Sequence, residues 1–164
     1  MMDDITLHCG DALTVLRTLP DESVQCCVTS PPYLNMRDYS IAGQIGLEST
    51  VGEYILKLVE VFHEVRRVLR ADGTLWLNID CSYAGGGGFA PNAPSTKESI
   101  SGKSGIAGAL RREGVKPSGQ FKSKNVIGIP WILALAMQAD GWYLRCDCIW
   151  YCKNLPILRT GLDK

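Results

Sequence analysis

The chain has no excess charge of either sign: its 17 basic and 17 acidic residues cancel. No whole-molecule field therefore draws it to a polyanion, and any contact with nucleic acid must come from a local patch. It also lacks a long apolar run. The longest, 127 to 137, is too short to span a bilayer and contains Pro130. With no secretory leader pattern either, the expectation is a cytoplasmic protein without a membrane partner. Histidine is scarce, with only His8 and His63, and His63 stands among charged residues where a solvated helix surface is its expected place. Seven cysteines contain no Cys-x-x-Cys pair. Cys26 and Cys27 are adjacent, and Cys146, Cys148 and Cys152 fall within one apolar run, spacings unlike those of structural zinc modules. The expectation is reduced, mostly buried thiols and no metal.

Two phosphate-binding loops are also missing. Gly102-Lys103-Ser104 would complete a Walker loop only with glycine at position 97, which is Lys97, and no apolar strand leads into it. Gly85, Gly87 and Ala90 match the spacing of a dinucleotide fingerprint, but Pro91 and Pro94 would interrupt the helix that must receive the phosphate.

What is present describes one globular domain: 164 residues, 46% hydrophobic and 21% charged. Residues 5 to 9 read as a short strand ended by Gly10-Asp11, with a helical segment over 12–19. Val24 to Val28 is a β-prone apolar run. From Val51 to Leu69 apolar residues recur at three- and four-residue intervals after a capping-box pattern of Thr50 and Glu53, the strongest helix in the chain. Asp72-Gly73 should stop it before a strand over 74–79, giving a strand-helix-strand unit of crossover size and hence a parallel sheet. A second unit follows, with a helix over 129–140 carrying Pro130 in its first turn and Gly141 as terminator, then strand-like sequence over 142–152.

The most informative residues are Thr29-Ser30-Pro31-Pro32-Tyr33, delivered at the end of the first β run, where sites in open α/β sheets form. Each proline fixes φ and removes a backbone donor, leaving the carbonyls of Ser30 and Pro31 as rigid acceptors. A serine oxygen and a peptide carbonyl can accept two N–H bonds while Tyr33 covers a ring face, which suits a nucleobase with an exocyclic amine. An ordinary strand-to-turn junction would use the same residue types.

Gly10-Asp11-Ala12, then Leu19-Pro20-Asp21-Glu22-Ser23-Val24, then Thr29 to Tyr33, in this order and spacing, resemble the start of a DNA amino-methyltransferase in the permuted order whose catalytic motif comes first. Met36-Arg37-Asp38-Tyr39, residues 43–48, residues 72–78 and Gly128-Ile129-Pro130-Trp131 extend the resemblance over most of the chain outside 84–120. The resemblance implies an α/β fold, a partial Rossmann-like methyltransferase sheet with helices on its faces, over a single catalytic domain from 1 to 164. It implies S-adenosylmethionine as cofactor, double-stranded DNA as partner and a restriction-modification setting. Ser30, Pro31, Pro32 and Tyr33 take the catalytic positions, and Asp11, Thr29 and Ser30 those of cofactor binding, although Asp11 is equally well placed to cap the helix that follows. Tyr33, Arg37, Lys122 and Lys124 are the substrate-binding candidates. Serine in the first catalytic position resembles the cytosine branch more than the adenine branch.

Composition changes over 84–124. Seven basic residues against Glu98 and Glu113 give this Gly-, Ser- and Lys-rich stretch a net charge of +5, expected as a flexible insertion that either meets phosphate or is simply solvated. Family members of this order continue into a target-recognition region and a Phe-x-Gly-x-Gly loop, which does not occur before Lys164. The resemblance thus covers the catalytic half. Two expectations stand: an enzyme, with a second polypeptide supplying what is absent, or an inactive remnant or subunit that binds DNA or a partner chain.

Overall fold

The computed structural model describes residues 5–84, 121–122 and 125–150. The basic insertion lies almost wholly outside them, as does Lys124. The element order is α1 (Ala12–Leu16), β1 (Val24–Thr29), α2 (Val51–Val68), β2 (Leu69–Leu77), β3 (Ser82–Tyr83), β4 (Val126–Ile127) and α3 (Ile129–Ala139).

The long helix α2 organises the core. Its apolar spacing places Val51, Tyr54, Ile55, Leu58, Phe62 and Val65 on one buried face, where they meet Ile127, Ile129, Leu133 and Met137. Its first turn is closed reciprocally: Glu53 N donates to Thr50 Oγ1 at 3.1 Å and Thr50 N to Glu53 Oε2 at 3.3 Å. The Ser49 hydroxyl donates to the same carboxylate and holds it below the usual glutamate value. The charged cap is therefore complete at neutral pH, and its contribution is lost only as acid protonates Glu53 through that lowered value. Thr50→Ala should cost about 1 kcal/mol, read as a lower urea midpoint at unchanged slope.

α2 ends sooner than the Asp72-Gly73 signal implies. Leu69 takes extended angles (φ −73°, ψ 139°) and starts β2 at once, so Asp72-Gly73 lies inside the strand. There the ladder with β1 is irregular between Val24 and Cys26. A Cβ on Gly73 would stand 2.9 Å from the Arg70 carbonyl oxygen and 3.2 Å from that of Gln25, so the glycine serves close backbone approach rather than helix termination.

β1 and β2 pair in parallel, from Val24 opposite Leu69 to Thr29 opposite Leu77, and Asn78 N continues the ladder onto the Thr29 carbonyl at 2.9 Å. Both carboxyl ends therefore finish side by side. One face, with Val24, Cys27, Leu75 and Leu77, packs on the core. On the other, Val28 and Trp76 are paired across the ladder at 77% and 55% exposure. The short antiparallel pair β3–β4 brings Ile127 and Ala84 into the core. α3 follows with Pro130 in its first turn and ends in a Schellman motif: Trp142 N donates to Met137 O, Gly141 N to Gln138 O, and Gly141 sits at φ +98°.

The described residues thus form a small α/β fragment with a two-stranded parallel sheet. Three expectations are corrected. Residues 5–9 and 142–150 are not strands: they are largely exposed and make no ladder, because alternation of apolar residues is only half of a strand and a pairing edge is the other half. Among the described residues the six thiols are free but not mostly buried. Cys9, Cys26, Cys146 and Cys148 are exposed, while Cys27 and Cys81 are half-buried, with desolvation pushing both of the latter thiols up. Among the described residues no helix is long and apolar enough to cross a membrane.

Candidate active site

Ser30 leaves β1 at its carboxyl end, and the two prolines carry the chain sideways into a loop over 33–48. Ser30, Pro31, Pro32, Tyr33, Met36, Arg37 and Tyr39 line one open cavity of about 360 Å³. Two tyrosines, a methionine and an arginine thus share the lining of one cavity with the serine and the two prolines. No hydrogen bond among the described residues uses the Pro31 carbonyl, which leaves it available to a donor.

The neighbouring carbonyl is spoken for. Tyr54, on the buried face of α2, donates its hydroxyl to the Pro32 carbonyl at 2.9 Å. Burial first, then the charges of Glu48 and Tyr33, push the Tyr54 phenol far up, so it stays a donor at every physiological pH. On the other side Gly46 packs against the same turn. At φ +98°, a Cβ there would stand 3.0 Å from the Tyr33 carbonyl oxygen and 3.3 Å from Pro32 Cβ. Its own carbonyl accepts from Asn35 N, and its N–H donates to Glu48 Oε2 at 2.8 Å. Glu48 is buried, and Oε1 lies 3.0 Å from Lys57 Nζ as a charge contact rather than an aligned hydrogen bond. Beyond the cavity wall the Gln44 amide bridges the loop, accepting from Tyr39 N and donating to the Arg37 carbonyl, each at 2.7 Å. Arg37 and Tyr39 are thereby held by their backbone while their side chains face solvent.

At the ends of the parallel strands a short polar chain runs from Ser30 Oγ to Tyr33 Oη and on to Asn78 Oδ1, each step 3.2 Å. These are long for O–H···O contacts, as pre-binding geometry often is.

The other sequence candidates fall elsewhere. Asp11 does not line the cavity; it is the N-cap of α1, with Oδ1 accepting from Thr14 N and Oγ1, both at 2.9 Å. The Thr14 backbone N–H first, then its hydroxyl, hold this exposed carboxyl below its usual value, with the Leu13 backbone N–H adding to them. Thr29 spends its backbone carbonyl on Asn78. Lys122 is exposed and outside the cavity, and Lys124 lies outside the described residues. His63 is on the exposed side of α2 and pairs with Asp140 at 3.0 Å, far in function from the cavity it does not line. Among the described residues no three His, Cys, Asp or Glu side chains converge to hold a metal ion. Sequence reasoning gave no site role to Gln44, Gly46, Glu48, Tyr54 or Asn78, although residues 43–48 and 72–78 lie in the stretches that carry the resemblance. For Tyr54 the signal is chemical, since a tyrosine in a buried stripe needs a partner for its hydroxyl.

An α/β fragment that presents Ser-Pro-Pro-Tyr at the end of a parallel strand is of one recognisable class, and the chain belongs to it: the DNA methylase model matches residues 24–162, placing the chain among the DNA amino-methyltransferases. Particular relatives are close. It is 51% identical over 146 residues to the Type II methyltransferase M.XycI of Xanthomonas campestris pv. cyanopsidis, covering 88% of this chain and 45% of that protein. It is 48% identical over 151 residues to M.Cfr9I of Citrobacter freundii (91% and 47%) and 46% identical over 144 residues to M.SmaI of Serratia marcescens (86% and 45%). The chain therefore spans about half the length of these curated relatives.

Proposed function

We propose that this chain carries the catalytic segment of a site-specific DNA methyltransferase, which methylates the exocyclic amine of a flipped base, with cytosine favoured over adenine. The observation that carries the reading is the grouping of Ser30 Oγ and the free Pro31 carbonyl beside the Tyr33 ring on one cavity. A base turned out of the duplex would stack near Tyr33 and give its two amine hydrogens to Ser30 and Pro31. Those acceptors align the nitrogen lone pair and stabilise the positive charge that grows on nitrogen, so the catalysis is by orientation and electrostatics. No cysteine nucleophile is needed, and Cys26 and Cys27 stay structural.

The cofactor S-adenosylmethionine would supply an electrophilic methyl group on a sulfonium sulfur. The exposed, ionised Asp11 carboxylate fits an acceptor for a hydroxyl or amine of such a ligand, and Thr29 and Ser30 would flank its methyl end. Arg37 at the cavity and Lys122 and Lys124 from the basic stretch are the residues proposed to meet DNA phosphate. The parallel strands β1 and β2 would belong to a fuller Rossmann-like sheet of a single catalytic domain, in a cytoplasmic restriction-modification protein.

The test is mass spectrometry of nucleosides from unmethylated duplex DNA incubated with the purified chain and S-adenosylmethionine. Methylcytosine is the expected product; methyladenine would correct the base, and neither product from a folded chain would reject autonomous activity. A second reading then gains weight from the uncovered Val28–Trp76 face: a half-domain that becomes active, or merely binds, when a second polypeptide covers that face.

A further inference from the structure

Asn78 has no part in the reading above, yet it closes the polar chain that begins at Ser30. We infer that Asn78 is a positioning residue that fixes the direction of the hydroxyl protons in this chain and so keeps Ser30 an acceptor. The inference rests on the proposed amine-methylating role of the same site.

A hydroxyl can donate or accept, and Ser30 serves the reaction in only one of these states. If its proton pointed at the substrate amine, it would bond to the very lone pair that must attack the methyl carbon. Something must turn that proton away. A carbonyl oxygen cannot donate, so Asn78 Oδ1 at 3.2 Å obliges the Tyr33 hydroxyl to point toward it. The lone pairs left on Tyr33 Oη then face Ser30, whose hydroxyl donates to it at 3.2 Å. Both lone pairs of Ser30 Oγ remain for the amine hydrogens.

The backbone makes the relay rigid where it starts. Asn78 N bonds to the Thr29 carbonyl, and Thr29 immediately precedes Ser30, so both ends of the chain hang from one rung of the ladder. Asn78 itself is exposed, so changing its side chain disturbs no packing. With Nδ2 turned toward Tyr33 instead, the proton order would reverse, and the two arrangements respond oppositely to aspartate.

The experiment compares the full chain with Asn78→Asp, Asn78→Leu and Tyr33→Phe, measuring kcat and KM for duplex DNA at neutral pH. Aspartate can only accept, so Asn78→Asp should keep kcat within about threefold of wild type. Asn78→Leu and Tyr33→Phe should each lower kcat by about tenfold, the effect of one neutral hydrogen bond. In Asn78→Leu the KM for DNA should stay unchanged, and combining Asn78→Leu with Tyr33→Phe should add little. Asn78→Asp as damaging as Asn78→Leu, or Asn78→Leu without effect, would overturn the inference. A second readout needs no turnover: with tyrosines labelled at Cζ, the Tyr33 carbon resonance should keep its hydrogen-bonded position in Asn78→Asp and move in Asn78→Leu. An inactive wild-type chain would count against autonomous methylation alone, whereas a Tyr33 resonance indifferent to Asn78→Leu would count against the relay alone.

Discussion

Ser30→Ala is expected to lower the rate of methyl transfer by about 10²–10³-fold, the range found when one preorganised hydrogen-bonding group is removed from a developing charge. The loss should appear in kcat. Ser30 lies on the exposed rim of the cavity with its hydroxyl bonded to Tyr33, so folding should change by no more than about 0.5 kcal/mol. The Pro31 carbonyl remains in the variant, and Tyr33 can still stack, which is why binding of DNA should persist and the product should fall rather than vanish. Single-turnover transfer of labelled methyl groups, run beside urea unfolding of the same protein, separates these effects. A variant that transfers at the wild-type rate would remove Ser30 from the chemistry.

The contrast between what could and could not be read in advance follows the range of the forces involved. α2 and α3 were legible because helical periodicity, the Thr50–Glu53 cap and the Gly141 terminator are all local, and the parallel pairing followed from the length of the crossover. The strand at 5–9 and the described part, 142–150, of that at 142–152 are misjudged for the converse reason. Ile5, Leu7, Tyr143 and Ile149 are apolar, but pairing is a property of two segments, and their exposed positions show no partner edge. Asp72-Gly73 looked like a stop because the close approach of Gln25 and Arg70 to Gly73 exists only in three dimensions. At the candidate site, Ser30 to Tyr33 stand out as a hydroxyl, two rigid acceptors and a ring at a strand end, and the linked motifs around them, rather than the tetrad alone, set them apart from an ordinary strand-to-turn junction. Its supports could not. Gly46 lies thirteen residues beyond Tyr33 and Asn78 forty-five, and only the fold brings their atoms to the same turn.

That dependence on remote supports makes Tyr54 the site of the largest expected loss of stability. The residue is 0% exposed in the first turn of α2, and Tyr54→Ala should cost about 3–5 kcal/mol, as removal of a buried aromatic ring does. Tyr54→Phe is the more telling change. It keeps the ring and its packing but strips the donor from the Pro32 carbonyl, a partly buried acceptor that would then have to find water or stay unpaired at a cost of about 1–3 kcal/mol. Pro32 cannot respond by an easy rotation, because its φ is fixed and Gly46 already packs against Pro32 Cβ. The strain must pass along the chain to Pro31 and Ser30, so Tyr54→Phe should slow methyl transfer although Tyr54 touches no cavity surface. Urea unfolding of both variants and the single-turnover assay on Tyr54→Phe test this together. A phenylalanine variant as stable and as fast as wild type would mean that the helix merely sits beneath the loop; slower transfer from a folded variant would mean that α2 holds the loop in its working shape.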